Sequence, residues 1–127
     1  MPEEHAPALQ QKTILVVEDD EGIGSFLVQA ILQETPYEAE LATDGFEAVQ
    51  IYTELHPDLL ILDYQLPGMN GIELYDRLLD KFRLAAIPAI MISARLPTKD
   101  IAKRKLASMR KPFELEDLFD MLDKMLD

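Results

Sequence analysis

Acidic side chains directly follow two of the most apolar short runs in the sequence. Glu18 and Asp19 come after the run at residues 14–17, and Asp63 comes after the run at residues 59–62. Three carboxylates in one place repel one another unless a hard divalent cation neutralises them. Mg²⁺ prefers carboxylate, carbonyl, water and phosphate oxygens. If the two runs are neighbouring strands, the acids therefore predict a magnesium site that also receives a phosphate group.

A hydroxyl and an ammonium group complete this set of candidate residues. Ser93 ends another apolar run at residues 89–92, and Lys111 precedes Pro112 near the end of the chain. One carboxylate of such a set can attack a phosphorus atom and become an acyl phosphate, while the metal and the lysine neutralise charge on the phosphoryl oxygens. The serine hydroxyl can hydrogen-bond an oxygen of the product. The residue types thus favour phosphoryl transfer to an aspartate.

Short apolar runs alternate with longer amphipathic segments, which is typical of βα units around a mostly parallel sheet. We expect strands at residues 14–17, 39–42, 59–62 and 89–92, with helices between them and at residues 115–126. In the first helix, helical spacing places five apolar residues on one face: Ile23, Phe26, Leu27, Ala30 and Ile31. In an open parallel sheet, ligands bind outside the carboxyl ends of the strands, so the candidate residues should meet at that edge.

Length, charge and composition exclude several classes of protein. The 127 residues suffice for about one domain, which we place at residues 12–127 after a flexible tail at residues 1–11. The net charge of −12 disfavours binding to nucleic acid or to an anionic membrane surface. Without cysteine there is no disulfide, and the cytosol is the expected compartment. No segment is typical of a signal peptide or a membrane span.

Four sequence blocks, taken in order, resemble the receiver domains of two-component response regulators: ILVVEDD, DLLILDYQLPGMNG, IMISA and KPF. The resemblance covers residues 12–127. It implies a doubly wound, flavodoxin-like α/β fold, with a five-stranded parallel sheet of strand order 2-1-3-4-5 and helices on both faces. It also implies a phosphorylation-controlled signalling switch that acts through protein–protein interaction, and not a metabolic enzyme.

The resemblance implies a role for each candidate residue. Asp63 would accept a phosphoryl group from the phosphohistidine of a histidine kinase or phosphotransfer protein, and would lose it again by slow autodephosphorylation. Ser93 would be the switch hydroxyl, and Lys111 would be the active-site lysine. The ligands of Mg²⁺ would be Glu18, Asp19, Asp63 and the backbone carbonyl of Gln65.

Two features depart from the pattern of this family. The segment between Ser93 and Lys111 is shorter than usual by about one helical turn, which predicts a short or irregular fourth helix. Ser108 stands where family members usually carry an aromatic residue that rotates on activation. Both features, the short segment before Lys111 and the serine at position 108, motivate one alternative function: a pseudo-receiver that signals by binding alone. A second alternative, a Mg²⁺-dependent phosphatase with a DxD motif, would need an aspartate where Gln65 stands.

Basic residues are concentrated in the same segment. It contains 7 of the 12 basic residues, with Asp100 as its only acid. We name these residues the basic strip: Arg95, Lys99, Lys103, Arg104, Lys105, Arg110 and Lys111. One hypothesis is that the strip binds an acidic surface of a downstream partner protein, and the alternative is a solvated face. On the first hypothesis, charge reversal at Lys103 and Arg104 weakens partner binding without changing phosphorylation. Whether the protein is a monomer or a homodimer stays open.

Overall fold

The computed structural model describes residues 11–127, in which five strands and five helices alternate. The strands are β1 Thr13–Val17, β2 Glu38–Ala42, β3 Leu59–Asp63, β4 Ala89–Ser93 and β5 Ala107–Arg110. The helices are α1 Glu21–Glu34, α2 Gly45–Leu55, α3 Gly71–Phe82, α4 Thr98–Arg104 and α5 Leu115–Leu126. The tail predicted at residues 1–11 lies outside the described residues except for Gln11.

The strands form one parallel sheet with the order β2-β1-β3-β4-β5. After β1 the chain adds β2 on one side, and it then returns past β1 to add β3 on the other side. This arrangement confirms the predicted doubly wound α/β fold. The strand order reverses direction beside β1, so the carboxyl ends of β1 and β3 border the crevice where such sheets bind ligands.

Helices cover both faces of the sheet, because β3 and β4 are apolar at every position before their last residue and need cover on both sides. All five residues of β3 and of β4 are buried. One face packs against α2 and α3 through Leu15, Leu60, Leu62, Leu74 and Leu78. The other face packs against α1 and α5 through Ile14, Val16, Ile31, Leu118 and Leu122. The strand ends that carry the acids are therefore held in a rigid core.

The fourth helix is short, as predicted. α4 has seven residues, whereas the other four helices have between 11 and 14. Pro97 precedes it without a side-chain cap, and it ends at Lys105, whose φ of 56° is left-handed. Within residues 11–127, no helix has both the length and the apolarity needed to cross a membrane.

Candidate functional site

The three predicted acids meet at the carboxyl edge of the sheet. Glu18 directly follows β1 and Asp63 ends β3, and these residues are only 4% and 7% exposed. Asp19 is exposed beside them. One carboxylate oxygen from each acid lies within 4.8 Å of the other two. The site thus opens to solvent on the side of Asp19 and is closed by the sheet beneath Asp63.

Lys111 joins the two buried acids. Its Nζ donates to Glu18 Oε1 over 3.3 Å and to Asp63 Oδ2 over 3.2 Å. Its backbone N–H donates to the carbonyl of Ser93 over 2.9 Å, which extends the pairing of β5 with β4 and fixes the start of the side chain. One ammonium group neutralises one of the three carboxylates, so the ionised cluster keeps an excess of negative charge.

Burial sets the electrostatics of this cluster. Loss of solvation raises the pKa of Glu18 to about 7, and the nearby Asp63 carboxylate adds to the rise, although the backbone N–H of Asp20 opposes it. Burial alone lowers the pKa of Lys111, but the charges of Asp63 and Glu18 outweigh it and the net pKa is raised. Hard oxygen ligands with excess negative charge are what Mg²⁺ requires. The donor set therefore fits this ion.

The start of α3 supports Asp63 from behind. Gly71, the first residue of α3, donates its N–H to the carbonyl of Tyr64 over 2.7 Å. A Cβ at this position would lie 2.7 Å from the backbone oxygen of Asp63 and 2.8 Å from Met91 Sδ. Glycine alone allows this approach without a shift of the backbone at Asp63. The sequence does not reveal this role, because a turn-rich segment such as LPGMNG does not show which backbone its glycines approach.

Gln65 lies on the solvent side of Asp63. Its backbone N–H donates to Asp63 Oδ1 over 3.1 Å, which orients the carboxylate. Its side chain is exposed. Gln65 is thus adjacent to the cluster, as expected for a residue whose backbone carbonyl is a candidate metal ligand.

Ser93 ends β4 and is 3% exposed. Asp63 pairs with Ile92 in the register of β3 and β4, so Ser93 comes one residue further on the neighbouring strand. Its Oγ donates to the carbonyl of Arg95 over 3.0 Å and accepts the N–H of Arg95 over 3.1 Å. The hydroxyl is therefore bonded to the segment that leads to α4. Ser108 is half-buried in β5, where the family pattern has an aromatic side chain.

An apolar groove of about 470 Å³ adjoins the acidic cluster, between α1 and the residues after β5. Asp63 and Lys111 belong to its wall. Ile23 and Phe26 also line it and are 46% and 59% exposed, so the rest of the domain covers only part of the apolar face predicted for α1. The buried face contains Leu27, Ala30 and Ile31. Helical spacing predicts which residues share an apolar face. It does not show that the start of α1 extends past the edge of the sheet, where this face is left exposed.

The structure divides the basic strip. Five of its members are exposed, namely Arg95, Lys99, Lys103, Lys105 and Arg110. Lys111 belongs to the acidic cluster, and Arg104 forms an ion pair with Asp76 of α3 at 2.6 Å. The hypothesis of a basic docking surface is therefore reduced to these five exposed cations, because Arg104 and Lys111 bind acids that are distant in sequence.

Comparisons with known proteins cover nearly the same length of chain. A family model described as the response regulator receiver domain matches residues 14–123. Sporulation initiation phosphotransferase F of Bacillus subtilis is 31% identical over 122 residues, which are 93% of this chain and 96% of the relative. A CheY-like response regulator receiver domain protein from Methanospirillum hungatei has a TM-score of 0.81 at 27% identity, over 92% of this chain and 94% of that one. Response regulator protein TrrA from Thermotoga maritima, solved in complex with Mg²⁺-BeF, has a TM-score of 0.77 at 28% identity, over 91% and 99%.

Proposed function

The chain belongs to the response regulator receiver domain family, the phosphorylation-based switches of two-component signalling, and on this premise we propose that Asp63 is its phosphoacceptor. Receiver domains are signalling modules and not metabolic enzymes, and they interact with histidine kinases or phosphotransfer proteins. One observation carries the proposal: the buried Asp63 carboxylate lies 3.2 Å from the Lys111 ammonium and within reach of two further acids.

The proposed reaction transfers a phosphoryl group between two side chains. A carboxylate oxygen of Asp63 attacks the phosphorus of a phosphohistidine on the partner. A P–O bond forms while the P–N bond breaks, and the electron pair of the P–N bond stays on the imidazole nitrogen. A proton already held by the other ring nitrogen of the phosphohistidine makes the leaving group neutral imidazole. Lys111 binds the phosphoryl oxygens, and the Ser93 hydroxyl donates to one of them. Water later hydrolyses the acyl phosphate slowly, which resets the switch.

We assign Mg²⁺ to Glu18, Asp19, Asp63 and the backbone carbonyl of Gln65. When bound, the ion supplies positive charge to the carboxylates and to the phosphoryl oxygens. The protein prepares this site by holding Glu18 against the Asp20 N–H, at 3.2 Å, and Asp63 against the Gln65 N–H, at 3.1 Å.

The apolar groove beside Asp63 is the proposed docking site of the partner that carries the phosphohistidine. Asp63 and Lys111 form part of its wall, so a protein that covers Ile23 and Phe26 brings its own side chains to the phosphoacceptor. The exposed apolar surface of these two residues supplies the driving force for binding.

A downstream partner with an acidic surface is proposed to bind the five exposed members of the basic strip. Charge reversal at Lys99 and Lys103, both exposed, should weaken that interaction and leave phosphorylation of Asp63 unchanged. Arg104 is a poor position for this test, because its reversal also breaks the ion pair with Asp76.

The test is intact-mass spectrometry after incubation with acetyl phosphate, in Mg²⁺ or in EDTA. We expect one phosphoryl adduct on the wild type in Mg²⁺, and none in EDTA or in Asp63→Asn. Asp44→Asn is the matched control, because Asp44 is another acid at this edge of the sheet and asparagine retains its role as the N-cap of α2. This variant should carry the adduct.

Two results would contradict the proposal. Absence of an adduct on the wild type, together with absence of Mg²⁺ binding, would favour the pseudo-receiver that signals without phosphorylation. Turnover of a small phosphate ester that Asp63→Asn abolishes would favour the phosphatase instead.

A further inference from the structure

Few interactions attach α4 to the rest of the domain. Of its seven residues, Ile101 alone is buried, and it is 8% exposed. No side chain caps the first turn at Pro97. A helix of this length does not persist by its own backbone hydrogen bonds, so its position depends on contacts with other elements.

The strongest such polar contact is an ion pair between Arg104, the last residue of α4, and Asp76 in the middle of α3. Arg104 Nε donates to Asp76 Oδ1 over 2.7 Å, and Nη2 donates to Oδ2 over 2.6 Å. Two parallel bonds of this kind fix orientation as well as distance. Nη1 also donates to the carbonyl of Asp100 within α4, over 3.0 Å. We call the pair of Asp76 and Arg104 the α3–α4 clasp.

The segment before α4 begins at the candidate switch hydroxyl. Ser93 has one hydroxyl proton and donates it to the carbonyl of Arg95, three residues before α4 begins. Donation of that proton to a phosphoryl oxygen on Asp63 requires the bond to Arg95 to break. Loss of this hydrogen bond frees the segment that leads to the start of α4, while the clasp still holds the end of the helix in place. Ser108 has no large side chain that offers a second route.

From these contacts, and resting on the function proposed above, we propose that Asp76 and Arg104 are a positioning pair. Their clasp holds α4, and through it the Ser93 hydroxyl, in the unphosphorylated arrangement. Opening of the clasp and occupation of Asp63 by a phosphoryl group are then linked, so each favours the other by the same factor. The clasp sets how readily this domain switches, although neither residue touches the reacting atoms.

The test measures binding of beryllofluoride with Mg²⁺ by titration calorimetry, with beryllofluoride standing in for the phosphoryl group. The proteins are the wild type, Asp76→Asn, Arg104→Gln, the double variant and Asp80→Asn. We expect each clasp variant to bind about two- to fivefold more tightly than the wild type, the range for loss of one solvent-accessible ion pair. The double variant should match the single variants, because all three lose the same interaction.

Asp80→Asn is the matched control, since it removes the same charge one turn further along α3. It should bind like the wild type. Amide hydrogen exchange at residues 98–104 of the ligand-free protein should be faster in the clasp variants than in this control. If Arg104→Gln lowers the folded fraction, Asp76→Asn and its comparison with Asp80→Asn still decide the question.

Failure of the clasp and failure of the proposed function give different results. Equal affinities in the wild type and in the clasp variants would overturn the clasp as a positioning pair, even if α4 exchanges faster, and would leave the proposed function intact. A wild type that binds no beryllofluoride and takes no phosphoryl group from acetyl phosphate would overturn both. Tighter binding by the clasp variants together with an unchanged Asp80→Asn would support the inference.

Discussion

At the carboxyl ends of β1 and β3, Glu18 and Asp63 are buried, and Lys111 bonds to both of them. In α4, by contrast, every side chain except Ile101 reaches solvent, and one clasp joins the end of the helix to α3. The first region lies between layers of helix on both faces of the sheet. The second is a short helix at the rim of the domain.

The difference matches two different demands on the chain. Buried charges are costly unless their partners are already in place, so the acids need a rigid setting to bind a metal and a phosphoryl group. A segment that reports phosphorylation needs two arrangements of similar free energy, and a lightly held helix provides them. We therefore expect substitutions in β3 to lower the stability of the whole domain, and substitutions in α4 to have smaller effects that are confined to the attachment of this helix.

Removal of buried side chains from the two regions gives the largest expected effect. Leu62→Ala in β3 should lower the free energy of unfolding by about 3 kcal/mol, because Leu62 is fully buried and the rigid core leaves a cavity. Ile101→Ala should cost about 1 kcal/mol, because α4 can detach locally and the loss cannot exceed the free energy of its attachment. Urea unfolding measures both values. Equal losses would show that α4 is as firmly held as the core.

Gly71→Ala tests whether the acidic site depends on the close approach of α3. The new methyl group would meet the backbone oxygen of Asp63, so we expect a loss of about 2 kcal/mol in unfolding and a slower gain of the phosphoryl adduct. Gly22→Ala is the matched control, because in α1 its methyl group would come no closer than 3.3 Å, to Asp20 Oδ1. That variant should stay within about 1 kcal/mol of the wild type. Rapid phosphorylation of Gly71→Ala would show that the position of Asp63 tolerates movement.

The acidic site could be predicted from the sequence because two general rules suffice for it. Apolar runs that end in acids predict strand ends, and a parallel sheet brings those ends to one edge. Glu18, Asp63 and Ser93 needed nothing more to be placed there. The short α4 was also predictable, since the number of residues between Ser93 and Lys111 limits the helix between them.

Contacts between elements distant in sequence were not predictable in the same way. Asp76 and Arg104 are 28 residues apart, and neither lies in a motif, so only the packing of α4 beside α3 shows that they meet. The bond of the Ser93 hydroxyl to Arg95 depends on the path of the backbone after β4. The exposure of Phe26 depends on how far the sheet extends beneath α1. Each of these three features depends on how the elements pack together, which the spacing of residues within one element does not predict.

The smallest expected effect is a shift in the pKa of Asp76, which reports directly on the clasp that holds α4. Its hydrogen bonds to Arg104 lower its pKa below the ordinary value for an aspartate, although partial burial opposes the shift. Because the folded-state pKa is depressed, the clasp contributes stability above the ordinary pKa of about 4 and loses it as the pH falls through the lower folded value. NMR titration of the carboxyl carbons should show this depressed midpoint in the wild type.

Arg104→Gln should return that midpoint towards the ordinary value, whereas Lys103→Gln should move it far less, because Lys103 acts on Asp76 only through weaker long-range charge. In the wild type, hydrogen exchange of the α4 amides should become faster as the pH falls through the range in which Asp76 is protonated. In Arg104→Gln, protonation of Asp76 should not change the exchange rate of these amides. A midpoint that does not respond to Arg104→Gln would mean that the clasp is open in solution. Ile101 would then be the main anchor of α4, and the contrast with β3 would be larger than the structure indicates.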